Sequence, residues 1–108
     1  MNTISKKFFD NADMTGALVS EPIPLNNMIH VGIHAVWTGT PSGDLFFEVS
    51  GEIGEPTTWE TFDSVSVAGA GSQFWIDRNA PYIWARLRYI PSGSTGLLRV
   101  DAVAKGDL

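Results

Sequence analysis

The chain has no cysteine, which excludes a disulfide framework and any thiolate metal site. It has no run of about 18 apolar residues, so no transmembrane helix is expected. Positive charge is scarce: 7 Lys and Arg stand against 12 Asp and Glu, a net charge of -5. Nucleic acid is therefore not an expected partner, because neutralising phosphates needs cations. No stretch of about 12 residues keeps a helical apolar period with a cap, so helices are not expected. Lys6 and Lys7 are not followed by an apolar run, so no signal peptide is expected. The missing cysteines and signal suit a protein made and assembled in a reducing cytoplasm.

Catalytic motifs are absent too. There is no Gly-x-Ser-x-Gly elbow. Residues 68–72, Ala-Gly-Ala-Gly-Ser, are glycine-rich but lack the lysine of a phosphate loop. His30 and His34 are the only histidines. On a strand that spacing separates them by roughly 13 Å, too far to share a metal ion. The carboxylates of residues 48–63 lack the alternating oxygen ligands of a calcium loop. No metal, no cofactor and no enzymatic activity are expected.

What is present is alternation. Its centre is residues 28–51, where Ile29, Val31, Ile33, Ala35 and Trp37 share one strand face. Gly39, Pro41 and Gly43 supply turn chemistry, and Leu45, Phe47 and Val49 resume the apolar face. This pattern predicts an antiparallel hairpin with one buried side. A strand over 59–67 changes face near Asp63, which predicts a bulge or break there. Residues 73–77 follow as a short strand, with Phe74 and Ile76 on one side and Trp75 on the other. Along 82–90, Ile83, Ala85, Leu87 and Tyr89 oppose Tyr82, Trp84, Arg86 and Arg88. Residues 91–96 are turn formers, and Leu98, Val100, Ala102 and Ala104 return inward in a final strand.

A length of 108 residues predicts a single domain. Seven or eight short strands predict an all-β, antiparallel β-sandwich or jelly-roll-like fold over residues 28–108. Residues 1–27 are the least regular, with breaks expected at Asn11, Asp13 and Gly16. Pro22 and Pro24 there force extended geometry and remove donors, which predicts edge strands or an extended N-terminal arm.

Candidate interaction residues come from aromatics and charge. Trp37 and Trp59 are expected in the core. Trp75 and Trp84 fall opposite the clearer apolar set, and Trp84, Tyr82, Arg86 and Arg88 are residue types enriched in protein interfaces. Between Lys7 and Arg78 there is no Lys or Arg. A final hairpin would bring Arg86 and Arg88 beside Arg99 and Asp101, a clustering of like charge that an acidic partner surface would relieve. The interface is therefore expected at Tyr82, Trp84, Arg86, Arg88, Arg99 and Trp75.

Trp37-Thr38-Gly39-Thr40-Pro41, the Ala-Gly-Ala-Gly loop before an aromatic strand, and Ala80-Pro81-Tyr82 leading to Arg86 together resemble small β-sandwich structural proteins of tailed-bacteriophage virions. The likeness spans about Ile29 to Gly106. Many of those proteins carry a Ser-Asn-Asp-Gly type turn where this chain has Ser50-Gly51-Glu52-Ile53-Gly54, so no role tied to that turn carries over. The resemblance implies a virion component assembled in the host cytoplasm. The resemblance does not identify the place in the particle. The acidic bulk, the basic end strands, the missing cysteines and the expected N-terminal arm fit a capsid decoration (cement) protein binding the major capsid protein and/or itself, with a homotrimer expected. The alternative is a tail, fibre or baseplate module for host attachment, with a glycan gripped by Trp75, Trp84 or Tyr82.

Overall fold

The computed structural model describes residues 3–25, 28–78, 80 and 82–106, with backbone only at 28 and 29. The expected inward side chain of Ile29, Pro81 of the Ala-Pro-Tyr motif, and the terminal residues 107 and 108 lie outside the described residues. The chain is all-β, with two antiparallel sheets packed as a sandwich. In order the strands are β1 Thr3–Asp13, β2 Leu18–Val19, β3 Ile23–Pro24, β4 Met28–Gly39, β5 Ser42–Ser50, β6 Glu60–Ala68, β7 Gly71–Asp77, β8 Trp84–Gly93 and β9 Gly96–Gly106. One sheet has the order β1-β9-β4-β7; the other has β2-β8-β5-β6, with β3 also on β8. The count exceeds the expected seven or eight because β2 and β3 are two-residue edge pieces on β8.

The interior is built from the alternating sets. Val31, Ile33, Ala35 and Trp37 of β4 and Leu98, Val100, Ala102 and Ala104 of β9 face Leu45 and Phe47 of β5 and Ala85, Leu87 and Tyr89 of β8. Each fully buried Val, Leu or Phe contributes about 1.5–3 kcal/mol of transfer free energy. Tyr89 is enclosed as well and satisfies its hydroxyl by donating to the Ser42 carbonyl at 3.0 Å.

Two expected hairpins are instead crossings between sheets. β4 pairs with β7 and β9, and β5 pairs with β6 and β8; β4 and β5 are in different layers. β8 and β9 are likewise split between the two sheets. The turn chemistry explains why. Gly39, at φ 87°, and the buried Pro41 turn the chain across the sandwich. Thr40 N–H donates to the Thr95 carbonyl at 3.0 Å, joining the two crossings side by side. A Cβ on Gly96 would meet the Thr38 carbonyl oxygen and the Pro41 ring, so only glycine allows this approach. Among the described residues, β5 and β6 are the only consecutive strands that pair with each other.

The N-terminal segment is woven into both sheets. β1 pairs along β9 from Thr3↔Lys105 to Asp13↔Leu97. Asn11, expected as a breaker, takes φ 56° inside a register shift, and the strand continues to Asp13. Phe8, Met14, Ile23 and Leu25 from this segment are all buried. The face change expected near Asp63 is a register shift in the β5–β6 ladder, where Phe47 and Glu48 oppose Asp63 and Thr61.

Candidate interaction surface

The outer face of the β8-β5-β6 layer carries a cluster of charged and aromatic side chains. Alternation in β5 turns Phe46 and Glu48 outward, and in β8 it turns Trp84, Arg86 and Arg88 outward. The ladder sets Glu48 opposite Arg86 and Phe46 opposite Arg88. Glu48 Oε1 accepts from Arg86 Nε at 2.8 Å, and Oε2 accepts from Arg88 Nε at 2.9 Å. One carboxylate thus clasps two guanidiniums with charge-assisted bonds. The glutamate side chain is 6% exposed; those of Arg86 and Arg88 are 21% and 30% exposed.

Aromatic rings cap the clasp. The Arg86 guanidinium carbon lies 4.2 Å from the Trp59 ring centroid, and that of Arg88 lies 4.7 Å from Phe46. These cation–π contacts help to fix the two guanidiniums in place. The cluster keeps one surplus positive charge. The hydrogen bonds that hold the two arginines in the cluster run through Nε, and both side chains keep some solvent exposure.

The expected interface residues are not all here. Trp84 is half-buried on this face and donates from Nε1 to the Gly54 carbonyl at 2.8 Å. Arg99 lies on the other sheet, in register with Val36. Because β8 and β9 belong to different layers, Arg86 and Arg88 do not meet Arg99; both pair with Glu48 instead. Trp75 is not outward. It is 5% exposed, packs on Phe47, and donates to Asp63 Oδ2 at 2.8 Å. Its larger ring takes the interior position, leaving Phe74 and Ile76 more than half exposed. Tyr82 precedes β8, is buried against Phe47 and Phe62, and donates to Asp77 Oδ2 at 3.0 Å. Burial first, and Asp77 second, push its phenol well above the usual tyrosine range. Trp59, expected inside, is half-buried and lies over Arg86. Glu48, Phe46 and Trp59 complete the surface, though the sequence assigns none of them to an interface. The signal was an acidic residue between the apolar pair Phe47 and Val49, and it needed the β5–β8 pairing to be read.

A second feature marks the outer face of the other sheet. Gly32 leaves a gap there, and the Phe74 ring lies beside it. The resulting open hollow, about 360 Å³, is lined by His30, Gly32, Phe74, Ile76, Val103 and Lys105, among others. Both histidines sit exposed on this face of β4, with His34 packed on Phe74 at a ring separation of 5.3 Å. Among the described residues no group of three or more His, Cys, Asp or Glu is placed to hold a metal ion. No helix of the described residues is long and apolar enough to cross a membrane.

No protein-family model and no curated protein matches the sequence. Solved structures do match. The SPBc2 prophage-derived protein YomS aligns with a TM-score of 0.65 and 14% identity, over 95% of this chain and 92% of that one. The PBSX exported protein XepA aligns at 0.71 and 15%, over 97% of this chain but 38% of its own, so this chain corresponds to well under half of that protein. A subunit of the Bacillus endospore appendages, described as disulfide-linked pili, aligns at 0.60 and 15%, over 96% of this chain and 88% of that one. At these identities the likeness is one of fold: the chain shares a β-sandwich with a prophage-derived protein, an exported protein and an appendage subunit.

Proposed function

We propose that the chain is a non-enzymatic structural subunit of a bacteriophage particle. It acts as a capsid decoration (cement) protein that binds the major capsid protein and further copies of itself, as a homotrimer in the virion. The observation that carries this reading is the Arg86–Glu48–Arg88 clasp. It is a ring-capped patch with surplus positive charge on a chain of net charge -5. Arginine and tryptophan fixed in this way are the residue types that dominate binding energy at protein interfaces. Sandwich neighbours from a prophage and from an assembled appendage support the reading. The appendage is disulfide-linked, whereas this chain has no cysteine and would rely on non-covalent contact. The glycan-binding alternative is weakened, since Trp75 and Tyr82 lie in the interior.

The test is to grow particles without the protein, add the purified chain back, and measure binding and heat resistance of the heads. Bound chain and restored resistance are expected. Arg88→Gln removes the surplus charge while leaving Glu48 paired with Arg86, and should weaken binding by roughly tenfold. Heads that bind no chain, or gain nothing from it, would overturn the proposal. Labelling confined to the tail would favour the host-attachment module.

A further inference from the structure

The loop between β5 and β6 is built like a finger. Ile53 at its tip is 94% exposed, beside Gly54 at φ 87°. Its base is closed by Glu52, whose carboxylate accepts from the Thr57 amide and hydroxyl at 2.9 Å each and from the Thr58 amide. The Trp84 indole fastens its middle through the Gly54 carbonyl. An isoleucine in water at the end of a loop held by this many bonds is a pre-ordered apolar anchor. The loop is also acidic: Glu55, two residues on, is exposed and has no hydrogen-bond or ion-pair partner among the described residues.

The opposite face of the molecule offers the complement. The hollow over Gly32 is walled by Phe74, Ile76 and Val103, and its charged lining residue is Lys105. Lys105 is exposed and likewise lacks a partner among the described residues. Both features lie at the same end of the sandwich. β5 runs back from the crossing at Pro41, so Ser50 ends where β4 begins and where β9 finishes at Gly106. One chain therefore bears an apolar, acidic knob on one face and an apolar hole with a lysine on the other.

We propose that the occupant of this hollow is the Ile53 loop of a second copy, with Glu55 meeting Lys105. The contact is heterologous: each copy presents its loop to one neighbour and its hollow to another. Repetition of such a contact closes a ring or grows a filament. The inference rests on the reading of the chain as a building subunit and specifies one of its contacts.

Sedimentation velocity of the full chain, at rising concentration in low salt, tests it. The wild type should form discrete larger species, with rings or filaments visible by electron microscopy. Ile53→Asp should weaken association by roughly a hundredfold. Lys105→Glu and Glu55→Lys should each weaken it by roughly tenfold, and the double exchange should restore it. These side chains are exposed, so circular dichroism and thermal melting should match the wild type and separate loss of contact from loss of fold. Association of Ile53→Asp equal to the wild type, or failure of the double exchange to rescue, would overturn the contact while leaving the subunit reading intact. A wild type that stays monomeric throughout also overturns the contact, and the add-back of chain to heads then decides the subunit reading by itself.

Discussion

Glu48 accepts a hydrogen bond from Arg86 across the β5–β8 ladder at 2.8 Å, from a position that is 4% exposed. The same carboxylate serves Arg88. Replacing it with alanine leaves two adjacent guanidiniums facing each other. Breaking a fully buried pair costs about 3–5 kcal/mol. Both arginines keep some solvent, so Glu48→Ala should cost about 2–3 kcal/mol by urea denaturation. By comparison, Lys7→Ala breaks only the exposed pair with Asp101 and should fall within about 0.5 kcal/mol of the wild type.

The sheet-to-sheet crossings make a second prediction. A Cβ at Gly43 would meet the Ile90 carbonyl oxygen, the Pro91 Cα and the Tyr89 hydroxyl, whereas one at Gly51 meets nothing within 4 Å. Gly43→Ala should therefore destabilise the chain by about 2–3 kcal/mol, from displacement of backbone in a packed region. Gly51→Ala is the control and should leave the melting temperature unchanged.

Alkali should act through Tyr82. Its phenol is held protonated above the ordinary tyrosine range by burial and by its bond to Asp77. Burial also raises Tyr89, with Asp44 adding to the effect. Unfolded tyrosine ionises near pH 10, about its unperturbed value. Above that pH the unfolded chain binds fewer protons than the folded one, so stability falls as pH rises. Below it the contribution is fully present. Ultraviolet titration should show both phenols resisting ionisation until the chain unfolds. Tyr82→Phe should flatten the alkaline loss of stability, at a cost of about 1 kcal/mol at neutral pH for the lost bond.

The N-terminal segment supplies a fourth test. Met14 is fully buried, and its amide donates to the Gly96 carbonyl at 2.9 Å. Met14→Ala should cost about 2–5 kcal/mol. A detached arm would show no effect in the same denaturation experiment.

These sites differ in how legible they were beforehand. Period-two alternation correctly assigned Val31, Ile33, Ala35 and Trp37 of β4, Leu45 and Phe47 of β5, Ala85, Leu87 and Tyr89 of β8 and Leu98, Val100, Ala102 and Ala104 of β9 to the interior, because burial of one face is a local property of each strand. It was silent on which strand lies alongside which. An arch and a hairpin both join two strands whose apolar sides end up in the same core, so β4–β5 and β8–β9 read as hairpins. The hairpin reading consequently matches Arg86 and Arg88 with Arg99 and gives no sign of their pairing with Glu48. In β7 the pattern offered two apolar residues against one tryptophan. The ring's greater area, and an acceptor at Asp63 for its N–H, decided in favour of Trp75. The bulge at residues 61–63 and the edge placement of Pro24 were visible because each follows from a rule about the backbone alone.

β9, the ninth strand to be synthesised, lies between β1 and β4. Until it has left the ribosome, neither of those early strands has its main partner, and the half-made chain presents two bare hydrogen-bonding edges. Topologies whose pairings span most of the sequence are slow to assemble. In a nascent chain β1 and β4 must wait, exposed, until β9 is made. Truncation before Gly96 would leave nothing to zip the first layer together, and the bare edges would favour aggregation.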